Sequence, residues 1–177
     1  MKTFVYVGAS LDGYIARTSG DISWLAGFEN KEVTDSYNTF ILGMDAIVIG
    51  RGTYETVLTF PHWPYEKKVF LLSTTVRQVP ETLIGKLTVL SMKPGELRKY
   101  LSDNGFSSIY IDGGKVIQDF LKEDYIDELI ITRVPLLLGS GIPLFGYHYK
   151  SIAFTHVRTD VYSNGLVKSH YERISNN

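Results

Sequence analysis

Two adjacent glycines, Gly113 and Gly114, stand between the apolar run Ile109-Tyr110-Ile111 and a stretch of helical spacing that opens with Val116 and Ile117, with Asp112 and Lys115 on either side. Glycines there let a backbone come close to a diphosphate. The free N–H groups and positive dipole end of a following helix then favour the anion. Alone, the pair is equally a strand-to-helix turn needing positive φ, because it lacks the full glycine fingerprint of dinucleotide sites. Gly50-Arg51-Gly52-Thr53 repeats the arrangement after Ala46 to Ile49. It adds a guanidinium able to hold a phosphate bidentately and a hydroxyl at the next helix start, its plain alternative being an N-cap threonine and a solvated arginine. Leu72-Ser73-Thr74-Thr75 is a third polar strand end. Two phosphates and a ribose need donors from several strand ends, so three such junctions together carry more weight than any one.

These junctions share a cleft only if the runs before them are neighbouring strands, since open α/β sheets bind ligands beyond the carboxyl ends of their strands. Thr3 to Ala9, Ala46 to Ile49, Val69 to Leu72, Leu87 to Leu90 and Ser108 to Ile111 read as strands, several apolar on both faces. Windows at Asn30 to Leu42, Thr53 to Thr59, Gly95 to Leu101 and Val116 to Lys122 have helical spacing. That alternation predicts β-α-β crossovers and a mainly parallel sheet. The last third, Asp127 to Leu138, Ile152 to Tyr162 and Leu166 to Ile174, is β-rich, and Ser163-Asn164-Gly165 predicts a tight two-residue hairpin turn. An antiparallel C-terminal hairpin should therefore close a mixed sheet.

The 177 residues fit one domain spanning 1–177, with no linker or internal repeat. A 44% hydrophobic fraction, 21% charge and net charge of −1 are those of a soluble enzyme or binding module, and scattered Lys and Arg exclude a nucleic-acid footprint. With no cysteine, thiolate chemistry, disulfides and iron–sulfur clusters are excluded. His62, His148, His156 and His170 show no ligand spacing, so no metal is expected. The N-terminus enters a strand without a signal-peptide pattern, and no run is long enough to span a bilayer, so a cytoplasmic protein is expected.

The junction residues also carry a resemblance. Ile47-Val48-Ile49-Gly50-Arg51-Gly52-Thr53-Tyr54-Glu55, Leu71-Leu72-Ser73-Thr74 and Ile109-Tyr110-Ile111-Asp112-Gly113-Gly114 with Phe120-Leu121 resemble dihydrofolate reductases in order and spacing. Ser10-Leu11-Asp12-Gly13-Tyr14-Ile15-Ala16, Gly20-Asp21-Ile22-Ser23-Trp24, Asp45-Ala46-Ile47 and Pro135 to Phe145 are similar to the reductase domain of the bifunctional riboflavin-biosynthesis deaminase-reductase. The resemblance implies a three-layer dihydrofolate-reductase-like fold and an NADPH-dependent oxidoreductase. Its substrate would be a small heterocycle, as in 5-amino-6-(5-phosphoribosylamino)uracil or dihydrofolate reduction, and it would be a homodimer. It places Gly113-Gly114 over the diphosphate, often through a cis peptide, with Thr53 beside it. Arg51 and Thr74 would lie near the adenosine 2′-phosphate and Ala9 near the nicotinamide.

Hydride transfer also needs a proton source or a polarising group. Asp12, where the first strand leaves the sheet, is one candidate. Asp35 is the other, since it precedes Gly50 by nearly the spacing of the pterin-binding acid of dihydrofolate reductases, although it also sits among Asn30, Lys31, Glu32 and Asn38 as on a solvated helix face. The helix before the second strand departs from the riboflavin enzymes, because Val33 to Gly43 contains no Arg, Lys or His to hold a phosphate-tailed substrate. Trp24, Tyr37, Phe40, Tyr54, His62, Trp63 and Tyr65 read instead as an aromatic lining for a flat, uncharged ring, their alternative being core packing. Two further readings remain open: a non-catalytic NADP-binding module without the substrate site, and dimerisation through the β-rich third.

Overall fold

The structure, a computed structural model, describes residues 1–146 and 151–174; His148 lies outside them. Strand β1 (Lys2–Ser10) leads through a short β2 (Tyr14–Ala16) and a 3-10 turn (Ser23–Phe28) into helix α1 (Lys31–Leu42). Then follow β3 (Ala46–Gly50), α2 (Arg51–Val57), β4 (Lys68–Leu72), β5 (Leu87–Leu90), α3 (Pro94–Asp103), β6 (Ser108–Asp112) and α4 (Gly114–Lys122). The chain ends through β7 (Glu128–Val134), β8 (Ile142–Pro143), β9 (Phe154–Val161) and β10 (Val167–Arg173).

Eight strands form one sheet in the order β5-β4-β3-β6-β1-β7-β10-β9. The first six in that order run parallel, β10 runs antiparallel to β7, and β9 pairs antiparallel with β10. Central β3, with Ala46 to Ile49 buried, is apolar on both faces because helices cover both. One face packs Val48, Phe70, Ile109 and Ile111 against α3 and α4, where Leu97, Leu101, Val116, Ile117 and Phe120 are buried. The other packs Ile47, Ile49, Leu71 and Tyr110 against Tyr54 of α2 and the half-buried Tyr37 and Phe40 of α1. Each fully buried large apolar side chain contributes about 1.5–3 kcal/mol. The expected mixed, mainly parallel sheet between helices, with its antiparallel C-terminal hairpin, is thus the observed architecture.

Four details differ from the expectation. α2 starts at Arg51 rather than Thr53, since Gly50 itself is the N-cap. β7 stops at Val134 instead of reaching Leu138, because Pro135 has no N–H for the ladder. The hairpin turn is a three-residue loop, with hydrogen bonds from Gly165 N to Tyr162 O and from Tyr162 N to Leu166 O, in which Gly165 alone turns left-handed (φ +85°). The small antiparallel β2–β8 pair is foreshadowed by no alternation in the sequence.

Candidate functional site

β3, β4 and β6 are parallel neighbours or next neighbours, so their carboxyl ends open on one side. A cleft of about 870 Å³ lies there, within the usual range of small-molecule sites. Its lining includes Gly50, Arg51, Gly52 and Thr53, then Leu72, Ser73, Thr74 and Thr75, then Asp112, Gly113, Gly114, Lys115 and Val116. The three junctions read from the sequence therefore share one wall.

Close packing joins the starts of α2 and α4. Gly113 has φ +95°, and a Cβ on it would fall 2.2 Å from Thr53 Oγ1; a Cβ on Gly50 would fall 2.9 Å from Val116 Cγ2. The Gly113–Gly114 peptide is trans, correcting the cis geometry that the resemblance implied, the chain turning at Gly113 φ instead. Neither helix start carries a side-chain cap, which leaves first-turn N–H groups for a ligand. Arg51 Nε pairs with Glu55 Oε1 at 3.0 Å while Nη1 donates to Thr75 Oγ1 at 3.2 Å, so the guanidinium spans from α2 to the loop after β4. Lys115 Nζ reaches both oxygens of Asp119 at 2.6 Å. The cradle thus joins glycine backbone, uncapped amides, hydroxyls and an anchored guanidinium, a donor set suited to phosphates and ribose.

Next to the cradle, through Asp112, the cleft is walled by tyrosines. Tyr6, Tyr37, Tyr65 and Tyr110 line it with Phe60, Pro64 and the carboxyl of Asp112. Tyr65 OH donates to Asp112 Oδ2 at 3.0 Å, and Tyr110 OH donates to the Tyr6 carbonyl at 2.8 Å. Burial raises the Asp112 carboxyl above its ordinary range, against the Tyr65 hydrogen bond and the Gly113 N–H, which lower it. Burial likewise pushes Tyr37 up to about 12, helped by the Asp112 charge. Arg51 and Lys115 are the cations among the lining residues, and both stand at the cradle.

Several expected residues lie elsewhere. Ala9 and Ile117 are fully buried and do not line the cleft; Val7 and Gly8 present β1 to it instead. Asp12 ties a turn to a loop: it accepts from Ser10 Oγ at 2.5 Å, Leu138 N at 3.2 Å and Gly139 N at 2.7 Å, and the Ser10 bond foremost holds its pKa low. Asp35 is exposed on α1 and paired with Lys31 at 2.5 Å, outside the cleft. Of the proposed aromatic lining, Tyr37 and Tyr65 face the cleft. Trp24 packs with Val134 and Leu166, Phe40 and Tyr54 pack in the core, His62 is exposed, and Trp63 backs Tyr65 at 5.3 Å. Tyr6 and Tyr110 were missed, although period two places Tyr110 on the same strand face as Asp112. Remote from the cleft, the sheet brings His170 beside Glu128 and Glu172, a group that sequence spacing concealed, and Lys2 also pairs with Glu128 at 3.2 Å.

Comparison with known proteins matches this geometry. A sequence model of the RibD C-terminal domain matches residues 62–168. The uncharacterised protein YwjB of Bacillus subtilis is 40% identical over 147 residues, which is 81% of this chain and 82% of that protein. A solved protein of Shewanella sp. PV-4, named for riboflavin biosynthesis, is 40% identical with a TM-score of 0.93 and coverage of 99% of this chain and 100% of its own. The dihydrofolate reductase of Enterococcus faecalis, solved with NADP(H), has a TM-score of 0.70 at 17% identity, covering 98% of this chain and 97% of that one. The fold is therefore dihydrofolate-reductase-like. Among the described residues no helix is long and apolar enough to cross a membrane.

Proposed function

The chain belongs to the RibD C-terminal domain family, a group with a reductase fold, and from that premise we propose that it is an NADPH-dependent oxidoreductase acting on a flat, uncharged heterocyclic or quinone-like small molecule. One observation carries the reading. The paired starts of α2 and α4, locked by Thr53 against Gly113, open into the same cleft as a tyrosine-walled recess holding a half-buried acid.

The residues present fit the cofactor. A Cβ at Gly50, Gly113 or Gly114 would collide with the protein itself, at Gly114 with Ile15 Cδ1 2.9 Å away, so glycine lets the two helix starts pack closely where the uncapped amides line the cleft. Gly113, Gly114 and the first amides of α4 would hold the diphosphate with Thr53, while Arg51, Ser73 and Thr74 would hold the adenosine 2′-phosphate. When bound, the dinucleotide supplies the hydride. The protein supplies orientation and exclusion of water: Tyr37, Tyr65 and Tyr110 offer ring faces to a planar substrate, and Asp112, whose carboxyl burial holds above its ordinary range, offers a hydrogen-bonding partner to the ring. Beyond Arg51 and Lys115 of the cradle, the lining offers no cation to a phosphate-tailed substrate.

Titration of NADPH and of NADH, followed by quenching of protein fluorescence, tests the reading. NADPH is expected to bind more tightly than NADH, and Arg51→Ala should weaken NADPH roughly 10- to 100-fold while sparing NADH. Absence of binding at millimolar cofactor would sink the proposal, and unchanged selectivity in the variant would move the 2′-phosphate away from Arg51. Binding without oxidation of NADPH by dihydrofolate, aminopyrimidine ribosyl phosphate or quinones would favour a non-catalytic module.

A further inference from the structure

Lys168 on β10 is 6% exposed, a rare position for a lysine unless its charge is used. Its Nζ donates to Ser36 Oγ of α1 at 2.6 Å and pairs with Asp160 Oδ2 of β9 at 3.0 Å, lying 5.4 Å from the centre of the Tyr162 ring. Ser36 Oγ is in turn 3.0 Å from Tyr6 OH, and Tyr6 lines the cleft. An unbroken polar chain thus runs from Asp160, whose side chain is 40% exposed, through Lys168 and Ser36 to a phenol at the substrate end.

The chemistry of these groups gives the chain a direction. An ammonium has only donors, so Ser36 must accept from Lys168, and the serine's own proton is then available to the Tyr6 oxygen. The Tyr6 O–H then donates away from Ser36, where its neighbours are the cleft and the Tyr162 side chain. Burial foremost, with the neighbouring Tyr162 adding to it, raises the Tyr6 pKa and keeps the phenol protonated, while the Ser36 hydrogen bond and the Lys168 charge oppose that rise and favour the phenolate once a proton has left. Asp160 itself is held ionised chiefly by Lys168, with Arg158 at 3.7 Å and the neighbouring His170 adding to the effect.

We propose that Tyr6 is the catalytic proton donor of the reductase reaction and that Ser36 and Lys168 recharge it from solvent at Asp160, for a substrate whose reducible bond is a carbonyl or ring imine. The role rests on the reductase reading above. As hydride reaches the carbon, the C=O or C=N π pair moves onto oxygen or nitrogen and takes the Tyr6 O–H proton. The Ser36 proton passes to the Tyr6 oxygen, a Lys168 N–H proton passes to Ser36, and water at Asp160 returns one to the amine. Each turnover consumes one hydride and one solvent proton. Asp112 then serves as a hydrogen-bonding anchor beside the ring rather than as the acid.

Three readouts on the full chain separate this from a structural ion pair. Nuclear magnetic resonance of ζ-carbon-labelled tyrosine should show Tyr6 ionising at higher pH in Lys168→Met and Ser36→Ala than in the wild type; superimposable titrations would overturn the relay without reference to any substrate. Oxidation of NADPH by 9,10-phenanthrenequinone, a carbonyl acceptor, should fall about 10²-fold or more in kcat in Tyr6→Phe with NADPH affinity unchanged. Lys168→Arg keeps the charge but cannot release a proton, so it should preserve the Tyr6 titration and NADPH binding yet lower kcat. Wild-type turnover in Lys168→Arg or Tyr6→Phe would refute the proton path. Failure of the wild type to bind NADPH would remove the catalytic role together with the reductase reading, whereas intact binding with no effect of Tyr6→Phe removes the role alone.

Discussion

At the scale of single residues, Asp112 carries a cost in stability. Its carboxyl has a higher pKa in the folded protein than its ordinary 3.8, with burial as the main cause. Between those two values the folded state keeps a proton that the unfolded chain has released, so stability falls as pH rises through that window and the cost is fully present above it. Asp112→Asn removes the titration, and its amide oxygen can still accept from Tyr65. The variant is therefore expected to melt higher than the wild type at neutral pH, with the gap closing toward pH 4. A constant gap across that range, read by thermal unfolding in a buffer series, would show that the carboxyl carries no such penalty. Part of this was legible in the sequence, where Asp112 stood out beside Gly113-Gly114. Its acid character was not, because Tyr65 and Tyr110 approach it from segments whose meeting depends on the whole sheet. The same limit explains Asp12: an acid at a strand end reads alike whether it faces a cleft or, as Asp12 does, fastens Leu138 and Gly139.

At the scale of elements, the α2–α4 junction joins local signal and tertiary packing. Strand ends, helix starts and the glycines between them are local properties, so the three cradle segments were readable from residue types alone. That Thr53 faces Gly113 was not, because α2 begins two residues before the helix window and turns that hydroxyl toward α4. A test of the junction lies in Gly113→Ala. At φ +95° an L side chain is strained, by about 1–3 kcal/mol, and its methyl would also meet Thr53 Oγ1. Urea unfolding should show Gly113→Ala destabilised by at least that amount, with NADPH binding lost. Adding Thr53→Ala should recover the steric part but leave the backbone strain. Additive effects of the two substitutions would show that the side chains do not meet, since only residues in contact couple in a double-mutant cycle.

At the scale of the whole molecule, the alternation of apolar runs and helical windows gave the parallel part of the sheet, and the β-rich last third gave its antiparallel edge. Strand order is less local. β1 enters between β6 and β7, and nothing in its residues names those neighbours. That insertion makes the sheet one continuous wall between two cores, so both should be lost together. Phe120, 1% exposed, anchors the α3–α4 side, whereas Trp63 packs on the α1–α2 side. Phe120→Ala should cost about 3–5 kcal/mol through the cavity it leaves. If the layers form one cooperative unit, that loss must reach Trp63 across the sheet. In a Trp24→Phe background, which leaves Trp63 as the fluorescent reporter, urea midpoints by tryptophan fluorescence and by far-ultraviolet circular dichroism should coincide and shift together on Phe120→Ala. A fluorescence midpoint that stays in place while the dichroism midpoint moves would mean that the two faces of the sheet unfold separately.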